Sequence, residues 1–115
     1  MVGRSVQRFI LVSPKKVKPV LDLIRGKPVH EARWILEMNR KRKLASIILK
    51  GLKAAVASYQ EKAGTEARPD EELVVLTAKV DRGPILKRWR AAWRGRAVMR
   101  RRRMSHITIE VTEGR

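Results

Sequence analysis

The sequence predicts an α+β fold, in which three helices pack on a small antiparallel sheet and a long β-hairpin protrudes from it. Three observations predict this class. Three segments have apolar residues at helical spacing, three other segments are β-rich, and a polar stretch separates the second β-rich segment from the third. A chain of 115 residues is the length of one domain. We expect a globular body at about residues 1–80 and 105–115, and an extended hairpin at about residues 81–104.

The first strand and the first helix adjoin each other. Residues 5–12 are rich in β-branched and apolar side chains and predict a strand. Ser13 and Pro14 predict the start of a helix, because serine favours the N-cap and proline the first helical position. The following apolar residues keep helical spacing as far as Ile24, and Gly26 predicts the helix end.

Two further helices follow. The second begins near Pro28 and is broken at Asn39, and the third covers roughly residues 41–62. The third helix keeps its apolar spacing over four turns. Gly51 lies within this apolar stripe and predicts a close approach of another element.

The last two strands flank the polar stretch. Residues 73–80 are almost wholly apolar, whereas apolar and polar side chains alternate in residues 106–112, which predicts one wet face. Two strands on either side of residues 81–104 predict one antiparallel hairpin. Each of its two strands extends for about twelve residues, or roughly 40 Å. A two-stranded ribbon is marginally stable in water, so we expect its outer part to become ordered only when it is bound.

The charge predicts a polyanionic partner. The chain carries 28 Lys and Arg against 11 Asp and Glu, a formal net charge of +17 and a pI near 11.5. Nucleic acid is the first candidate for such a chain. The basic residues concentrate in residues 1–29, 40–53 and 82–103, whereas residues 60–72 are mildly acidic and are expected to face solvent.

These basic segments differ in what they imply. A single charged run is commonly a solvated face, and for residues 40–53 alone that interpretation stays open. Residues 82–103 contain ten cations and no acid. Such cations repel one another in an isolated chain, and an external anion must neutralise them. Lys15, Lys16 and Lys18 lie where a helix dipole disfavours cations, and they are well placed to grip a phosphate there.

No arrangement of residues predicts catalysis. The absence of cysteine excludes disulfides, thiolate zinc sites and cysteine nucleophiles. Ser13 and Lys16 match the short Ser-x-x-Lys pattern of some acyl-transfer enzymes, but the partner motifs are missing. His30 and His106 are the only imidazoles, and a structural or phosphate-contact role fits them better than general-base work. We therefore expect no enzyme activity, cofactor, metal or small-molecule substrate.

Membrane insertion is not predicted either. No apolar run approaches the length of about 18–20 residues that spans a bilayer. Arg4 and Arg8 interrupt the first ten residues, so we expect no signal peptide there.

Residues 87–96 combine cations with indoles. Arginine makes bidentate contacts with phosphate and stacks on bases. Trp89 and Trp93 lie among these cations, with no core to enter, and stacking on unpaired RNA bases is the functional interpretation. Two alternatives stay open: the indoles form a local cluster or pack against the sheet, or the segment lies at a membrane interface.

Several blocks of the sequence resemble one family. They are Ser13-Pro14-Lys15-Lys16-Val17, Asp22-Leu23-Ile24-Arg25-Gly26-Lys27-Pro28-Val29 with Ala32, Val80-Asp81-Arg82-Gly83-Pro84 with Leu86-Lys87-Arg88, Gly95-Arg96-Ala97, and Ser105-His106-Ile107-Thr108-Ile109. In order and spacing, across about residues 8–112, these blocks resemble the bacterial-type large-subunit ribosomal proteins of the L-twenty-two family. The chain departs from the family pattern at the tip, where Ala91 replaces the usual proline and Trp93 is added, and at the end of the third helix.

The resemblance implies a structural constituent of the large ribosomal subunit. It implies a body near the exit of the peptide tunnel and a hairpin that runs through ribosomal RNA to the tunnel wall. The implied partners are several domains of the large-subunit rRNA, neighbouring large-subunit proteins and the nascent polypeptide, and an implied role is subunit assembly. The implied location is the cytoplasmic ribosome of a bacterium, or a mitochondrial or plastid ribosome.

The charge pattern and the resemblance together predict two sets of site residues. The rRNA-binding set is Arg8, Ser13, Lys15, Lys16, Lys18, Arg25, Lys27, Arg40, Lys41, Arg42, Lys43, Arg82, Lys87, Arg88, Arg100, Arg101, Arg102, Arg103, Ser105 and His106. The tunnel-lining tip is Trp89, Arg90, Ala91, Ala92, Trp93, Arg94, Gly95 and Arg96. The alternative function is a free-standing, nucleoid-like nucleic-acid-binding protein with an arm in the minor groove.

Overall fold

The computed structural model describes residues 1–91 and 93–114. Ala92, one of the predicted tip residues, lies outside the described residues. The described part contains β1 (Val2–Ile10), α1 (Pro14–Ile24), α2 (Val29–Glu37), α3 (Arg42–Ala63), β2 (Leu73–Ala91) and β3 (Ala97–Glu113). Short 3-10 turns lie at Gly64–Glu66, Asp70–Glu72 and Trp93–Gly95.

The predicted α+β class is confirmed. The three strands form one antiparallel sheet in the order β1-β3-β2, so that β3 is central. Strands β2 and β3 form the predicted long hairpin, and their pairing runs from Leu73 opposite Glu113 to Ala91 opposite Ala97. Helix α3 packs on β1 and β3, α1 packs on β2, and α2 packs on α3.

The hydrophobic core lies between the helices and the inner half of the sheet. The predicted stripe of α1 is buried, and in α3 Ile48, Leu52, Ala55 and Tyr59 are buried with it. The sheet contributes six residues: Leu73, Val75, Ala78, Ile107, Ile109 and Val111. Each buried aliphatic side chain contributes about 1.5–3 kcal/mol relative to an exposed one, and this burial holds the body together.

Helix α1 begins and ends near the predicted residues, with one difference. Pro14 occupies the first helical position, but the side chain of Ser13 makes no capping hydrogen bond. Gly26 has φ +78°, the left-handed region that glycine favours after a helix. Its amide donates to the carbonyl of Val75 at 3.0 Å, and the amide of Val75 donates to the carbonyl of Lys27 at 3.0 Å. The end of α1 is thereby fixed to β2.

The predicted bounds of the first strand were wrong. The strand covers Val2–Ile10 instead of residues 5–12. It begins earlier because Val2 pairs with Thr112 near the far end of β3. It ends earlier because the register shifts between Gln7 and Ile10, where Phe9 has φ +56°, and the chain then bends toward α1.

The close approach at Gly51 is confirmed. A Cβ atom at this position would lie 2.6 Å from Oε1 of Gln7 and 3.3 Å from Cδ1 of Ile109. A side chain at residue 51 would therefore require the side chain of Gln7 to move. The mildly acidic segment 60–72 covers the end of α3 and its connection to β2, and Glu61, Glu66, Glu71 and Glu72 face solvent as predicted.

Candidate nucleic-acid interface

The outer part of the β2–β3 hairpin, residues 81–104, extends beyond the core and is called the arm. None of its described residues is buried. The molecule measures 65 × 25 × 15 Å along its principal axes, an elongated shape for 115 residues. The described part of the arm therefore exposes its side chains on both faces.

Cations lie directly opposite one another in the arm. Lys87 pairs across the hairpin with Arg101, and Arg88 pairs with Arg100. Directly opposite residues project from the same face, and like charges at such positions destabilise a strand pair. None of the ion pairs found among residues 1–91 and 93–114 involves a cation of residues 82–103. The arm thus needs an external anion to offset its own repulsion.

The body adds cations on one side of the arm base. Lys15 and Lys18, from the first turns of α1, line a groove with Arg82 and Arg103 of the arm. This α1–arm groove has a volume of ≈ 670 Å³. The partial positive charge of the α1 N-terminus adds to the field of these four side chains. The combined positive charge of the groove attracts anionic groups such as phosphate.

A second groove lies where the arm passes the starts of α1 and α3. It is lined by Lys16 of α1, Lys43 of α3 and residues 100–103 of β3, with Ser13 and Leu11 beside them. Three cationic clusters that are far apart in sequence therefore meet around the arm base. This α3–arm groove brings together much of the predicted rRNA-binding set.

The other predicted contacts at the start of α3 lie apart. Arg40 and Lys41 line a different groove, between α1 and α2, and Arg42 is exposed on the first turn of α3. Arg8 on β1 and Lys27 after α1 are exposed on the body. The predicted cluster at residues 40–43 is thus divided between two surfaces.

Two predicted contact residues, Ser105 and Arg25, are engaged within the protein. Ser105 is fully buried and its hydroxyl donates to the carbonyl of Val12 at 2.6 Å, so this side chain presents no surface to RNA. Arg25 donates to Oδ1 of Asp22 at 2.6 Å and to the carbonyl of Ala78. Ser105 is therefore removed from the predicted set of RNA contacts, because its side chain is buried where the arm joins the body.

His106 is also engaged within the protein. Its Nδ1 atom accepts a hydrogen bond from the amide of Phe9 at 3.1 Å. The rings of Phe9 and His106 meet edge to face with centroids 5.0 Å apart. His106 is only partly exposed, and its contacts join β1 to β3 at the arm base.

The tip of the hairpin exposes both of its indoles. Trp89 is 70% exposed and Trp93 is 79% exposed, so neither packs against the sheet as one alternative supposed. The guanidinium carbon of Arg94 lies 4.5 Å from the centre of the Trp93 ring. Arg94 and Gly95 turn the chain with φ of +57° and +69°. The tip thus presents an indole and a stacked cation to the surroundings.

Some residues of this surface are not evident from the sequence. Leu11, after β1, and Leu86, on β2, line a groove with Trp89 and the arginines Arg88, Arg90, Arg100 and Arg102. Leu11 comes 75 positions before Leu86 in the chain, and only the fold brings the two together. Their apolar side chains give the cationic face of the arm a local apolar floor.

In the described part of the chain, no three His, Asp or Glu side chains are grouped so that they could hold a metal ion. None of the described helices combines the length and apolar composition that crossing a bilayer requires.

Comparisons with known proteins agree with the fold and the charge pattern. The family model described as ribosomal protein L22p/L17e matches residues 5–112. The chain is 44% identical over 113 residues to the large ribosomal subunit protein uL22 of Halothermothrix orenii, covering 98% of this chain and 96% of the relative. It is 42% identical to the protein of the same name from Syntrophus aciditrophicus, covering 98% and 99%, and 38% identical to that of Clostridium novyi, covering 98% and 98%.

Proposed function

Because the chain belongs to the ribosomal protein L22p/L17e family, we propose that it is a structural component of the large ribosomal subunit that binds its rRNA through the arm and the arm base. The family consists of ribosomal structural proteins and not of enzymes. The observation that carries the proposal is the meeting of three cationic clusters around an unburied arm.

The proposed contact surface has two parts. At the arm base, the α1–arm and α3–arm grooves supply phosphate contacts: Lys15, Lys16, Lys18, Lys43, Arg82 and residues 100–103. Further out, Lys87, Arg88 and Arg90 continue the cationic surface along β2. Phosphate contacts fix the position of a protein on RNA, whereas exposed aromatic side chains stack on unpaired bases.

The arm explains how so basic a chain can bind specifically. A narrow two-stranded ribbon can enter a gap between RNA helices, where phosphates surround it on both faces. Each neutralised phosphate releases counterions, and the opposed pairs Lys87–Arg101 and Arg88–Arg100 then lose their mutual repulsion. Binding and ordering of the arm are therefore coupled in this proposal.

We infer the finer details from the family resemblance together with the exposed tip. Trp89, Trp93, Arg94 and Arg96 at the end of the arm would form part of the wall of the peptide tunnel and meet the nascent polypeptide. Contacts from the body and the arm with several rRNA domains, and with neighbouring proteins, would assist subunit assembly. The relatives named above come from bacteria, and this favours a bacterial cytoplasmic ribosome over an organellar one.

A competition experiment tests the choice of RNA. The purified chain is bound to large-subunit rRNA transcripts, with duplex DNA as competitor, at increasing salt concentration. We expect the rRNA complex to resist an excess of DNA and to weaken steeply with salt, because each contact with a single-stranded-like site contributes about −0.7 to the logarithmic slope. Equal affinity for duplex DNA would contradict the proposal and favour a nucleoid-like binder. A matched variant, Lys50→Gln with Lys53→Gln, removes two exposed cations outside both grooves and should leave the preference unchanged.

A further inference from the structure

An exposed apolar groove lies between α1 and α2, outside the RNA-binding surface proposed above. It is lined by Pro19, Val20, Leu23, Trp34, Ile35, Met38, Asn39, Arg40 and Lys41. Three of its large apolar side chains are open to solvent: Leu23 is 49% exposed, Trp34 64% and Met38 68%. Clustered exposed apolar side chains of this size are uncommon on a protein surface without a partner, and they mark interaction sites.

The floor of the groove is continuous with the core. Val20 is buried in the core, and Ile35 is partly buried against it. Leu23, Trp34 and Met38 rise from this floor on two helices that are fixed by their buried faces. The groove is therefore a preformed surface on two helices that are packed on the core. The indoles of the arm, by contrast, lie on a two-stranded ribbon outside the core.

Along α1 and α2 this groove is lined by uncharged side chains alone, unlike the two cationic grooves at the arm base. In a chain of net charge +17, residues 28–38 carry one cation, Arg33, and two acids, Glu31 and Glu37. Arg33 is already paired with Asp70 at 3.0 Å. Trp, Met and Arg are enriched at protein–protein interfaces. This groove combines Trp34, Met38 and Arg40 over an aliphatic floor.

One end of the groove has the opposite charge. Arg40 and Lys41 are exposed there, and among residues 1–91 and 93–114 neither has an ion-pair partner. Their neighbour Lys43 lines the α3–arm groove instead. The cationic cluster at the start of α3 is thus divided between two grooves. Arg40 and Lys41 lie at the end of the apolar α1–α2 groove, whereas Lys43 lies in the α3–arm groove.

We propose that the α1–α2 groove docks an acidic polypeptide segment of a neighbouring protein. The segment places one or two large apolar side chains against Trp34 and Met38, and a carboxylate beside Arg40 and Lys41. The proposal rests on the proposed function, because it places the partner in the same ribosomal particle. It moves Arg40 and Lys41 from the predicted phosphate contacts to contacts with carboxylates.

Site-specific photocrosslinking tests this proposal. The full chain carrying Trp34→p-benzoylphenylalanine is expressed in a bacterial host, and large subunits are isolated on a gradient before irradiation. We expect position 34 to crosslink to a single protein, at a segment that contains large apolar residues and Asp or Glu within a few positions. The matched control, Ala57→p-benzoylphenylalanine, lies exposed on α3 outside the groove and should not form that crosslink.

Charge reversal tests the acidic character of the partner. In the crosslinking chain, Arg40→Glu with Lys41→Glu should lower the crosslink yield at least several-fold, whereas Lys50→Glu with Lys53→Glu on the same helix should leave it unchanged. An unaffected yield with the first pair would overturn the carboxylate contact.

The outcomes separate this proposal from the proposed function. A crosslink from position 34 to rRNA, to a basic segment, or to nothing, in particles that contain the chain, would overturn the docking site alone. Absence of the chain from large subunits, seen on the gradient before irradiation, would overturn the proposed function and the docking site together.

Discussion

The amide of Phe9 donates a hydrogen bond to Nδ1 of His106 at 3.1 Å, across 97 positions of sequence. This contact joins the end of the edge strand β1 to the central strand β3 where the arm leaves the body. Because Nδ1 accepts, the ring proton of neutral His106 lies on Nε2. Phe9 itself has φ +56°, and the contact with His106 helps to hold that conformation.

Replacement of His106 should therefore loosen the arm base. His106→Ala removes the hydrogen bond and the ring contact, and we expect a loss of about 1 kcal/mol of unfolding free energy, because the contact is open to water. Urea unfolding followed by circular dichroism measures it. His106→Asn, which can place an acceptor oxygen near the Phe9 amide, should recover part of the loss. An unchanged midpoint for His106→Ala would contradict this role. The matched control is His30→Ala, at an exposed position of α2, which should leave the midpoint unchanged.

Gly3 is required for the contact between β1 and α3. A Cβ atom at residue 3 would lie 2.5 Å from the Cβ atom and from the backbone nitrogen of Tyr59. Gly3→Ala should therefore lower the unfolding free energy by about 1–3 kcal/mol, the usual cost of overpacking, because the strand must move away from the helix. Thermal unfolding measures the change. Ser5→Ala, on the same strand, should shift the midpoint much less, and a shift for Gly3→Ala as small as that of Ser5→Ala would contradict the requirement for glycine.

The arm should be less protected than the body until an anion is present. Amides beyond the Arg88–Arg100 pair should exchange with solvent much faster than those of Ile107 and Ile109, because opposed like charges weaken the ribbon. Addition of inorganic polyphosphate should slow exchange in the arm and leave the body unchanged. Hydrogen exchange read by NMR measures both regions.

A matched variant checks the cause of that weakness. Arg100→Thr with Arg101→Thr removes the opposition to Arg88 and Lys87 while keeping residues that favour strands. This variant should protect the arm without polyphosphate. If the unsubstituted arm is already as protected as the body in the absence of any anion, the coupling of ordering to binding is wrong.

Trp93 should contribute to RNA affinity through stacking. Its side chain is exposed at the tip. In the described part of the chain, its one aromatic or cation–π contact is with the guanidinium of Arg94. Trp93→Ala should weaken binding to large-subunit rRNA by about 1–3 kcal/mol if the indole stacks on a base. Filter binding at fixed salt measures the affinity. Trp34→Ala, on the α1–α2 groove, should leave the affinity unchanged; an unchanged affinity for Trp93→Ala would instead favour purely local packing.

The helices and the hairpin could be predicted from sequence because their signals are local. The apolar stripe that ends at Ile24 and the alternation in residues 106–112 each fix a buried face without knowledge of the rest of the chain. The cationic character of the arm was equally evident. The division of the cations between the α1–arm and α3–arm grooves was not, since it depends on how α1 and α3 lie against the sheet.

The errors arose where distant segments meet. The start of β1 depends on pairing between Val2 and Thr112, at opposite ends of the chain. The sequence predicts Ser105 as an RNA contact, but its hydroxyl donates to the carbonyl of Val12, which lies 93 positions away. Helical spacing places Trp34 to one side of the apolar stripe of α2, but only the packing of two helices brings it beside Leu23.

Sedimentation with the large subunit at high salt tests the central claim most directly. The tagged full chain is expressed in a bacterial host beside a variant in which a short Gly-Ser turn replaces residues 85–100. Because no described residue of the arm is buried, the variant should keep the circular dichroism of a folded body. We predict that the full chain comigrates stoichiometrically with the large subunit at a salt concentration that strips loose electrostatic binding, and that the shortened chain is released. Recovery of the full chain at the top of the gradient, or spread along DNA, would contradict the account.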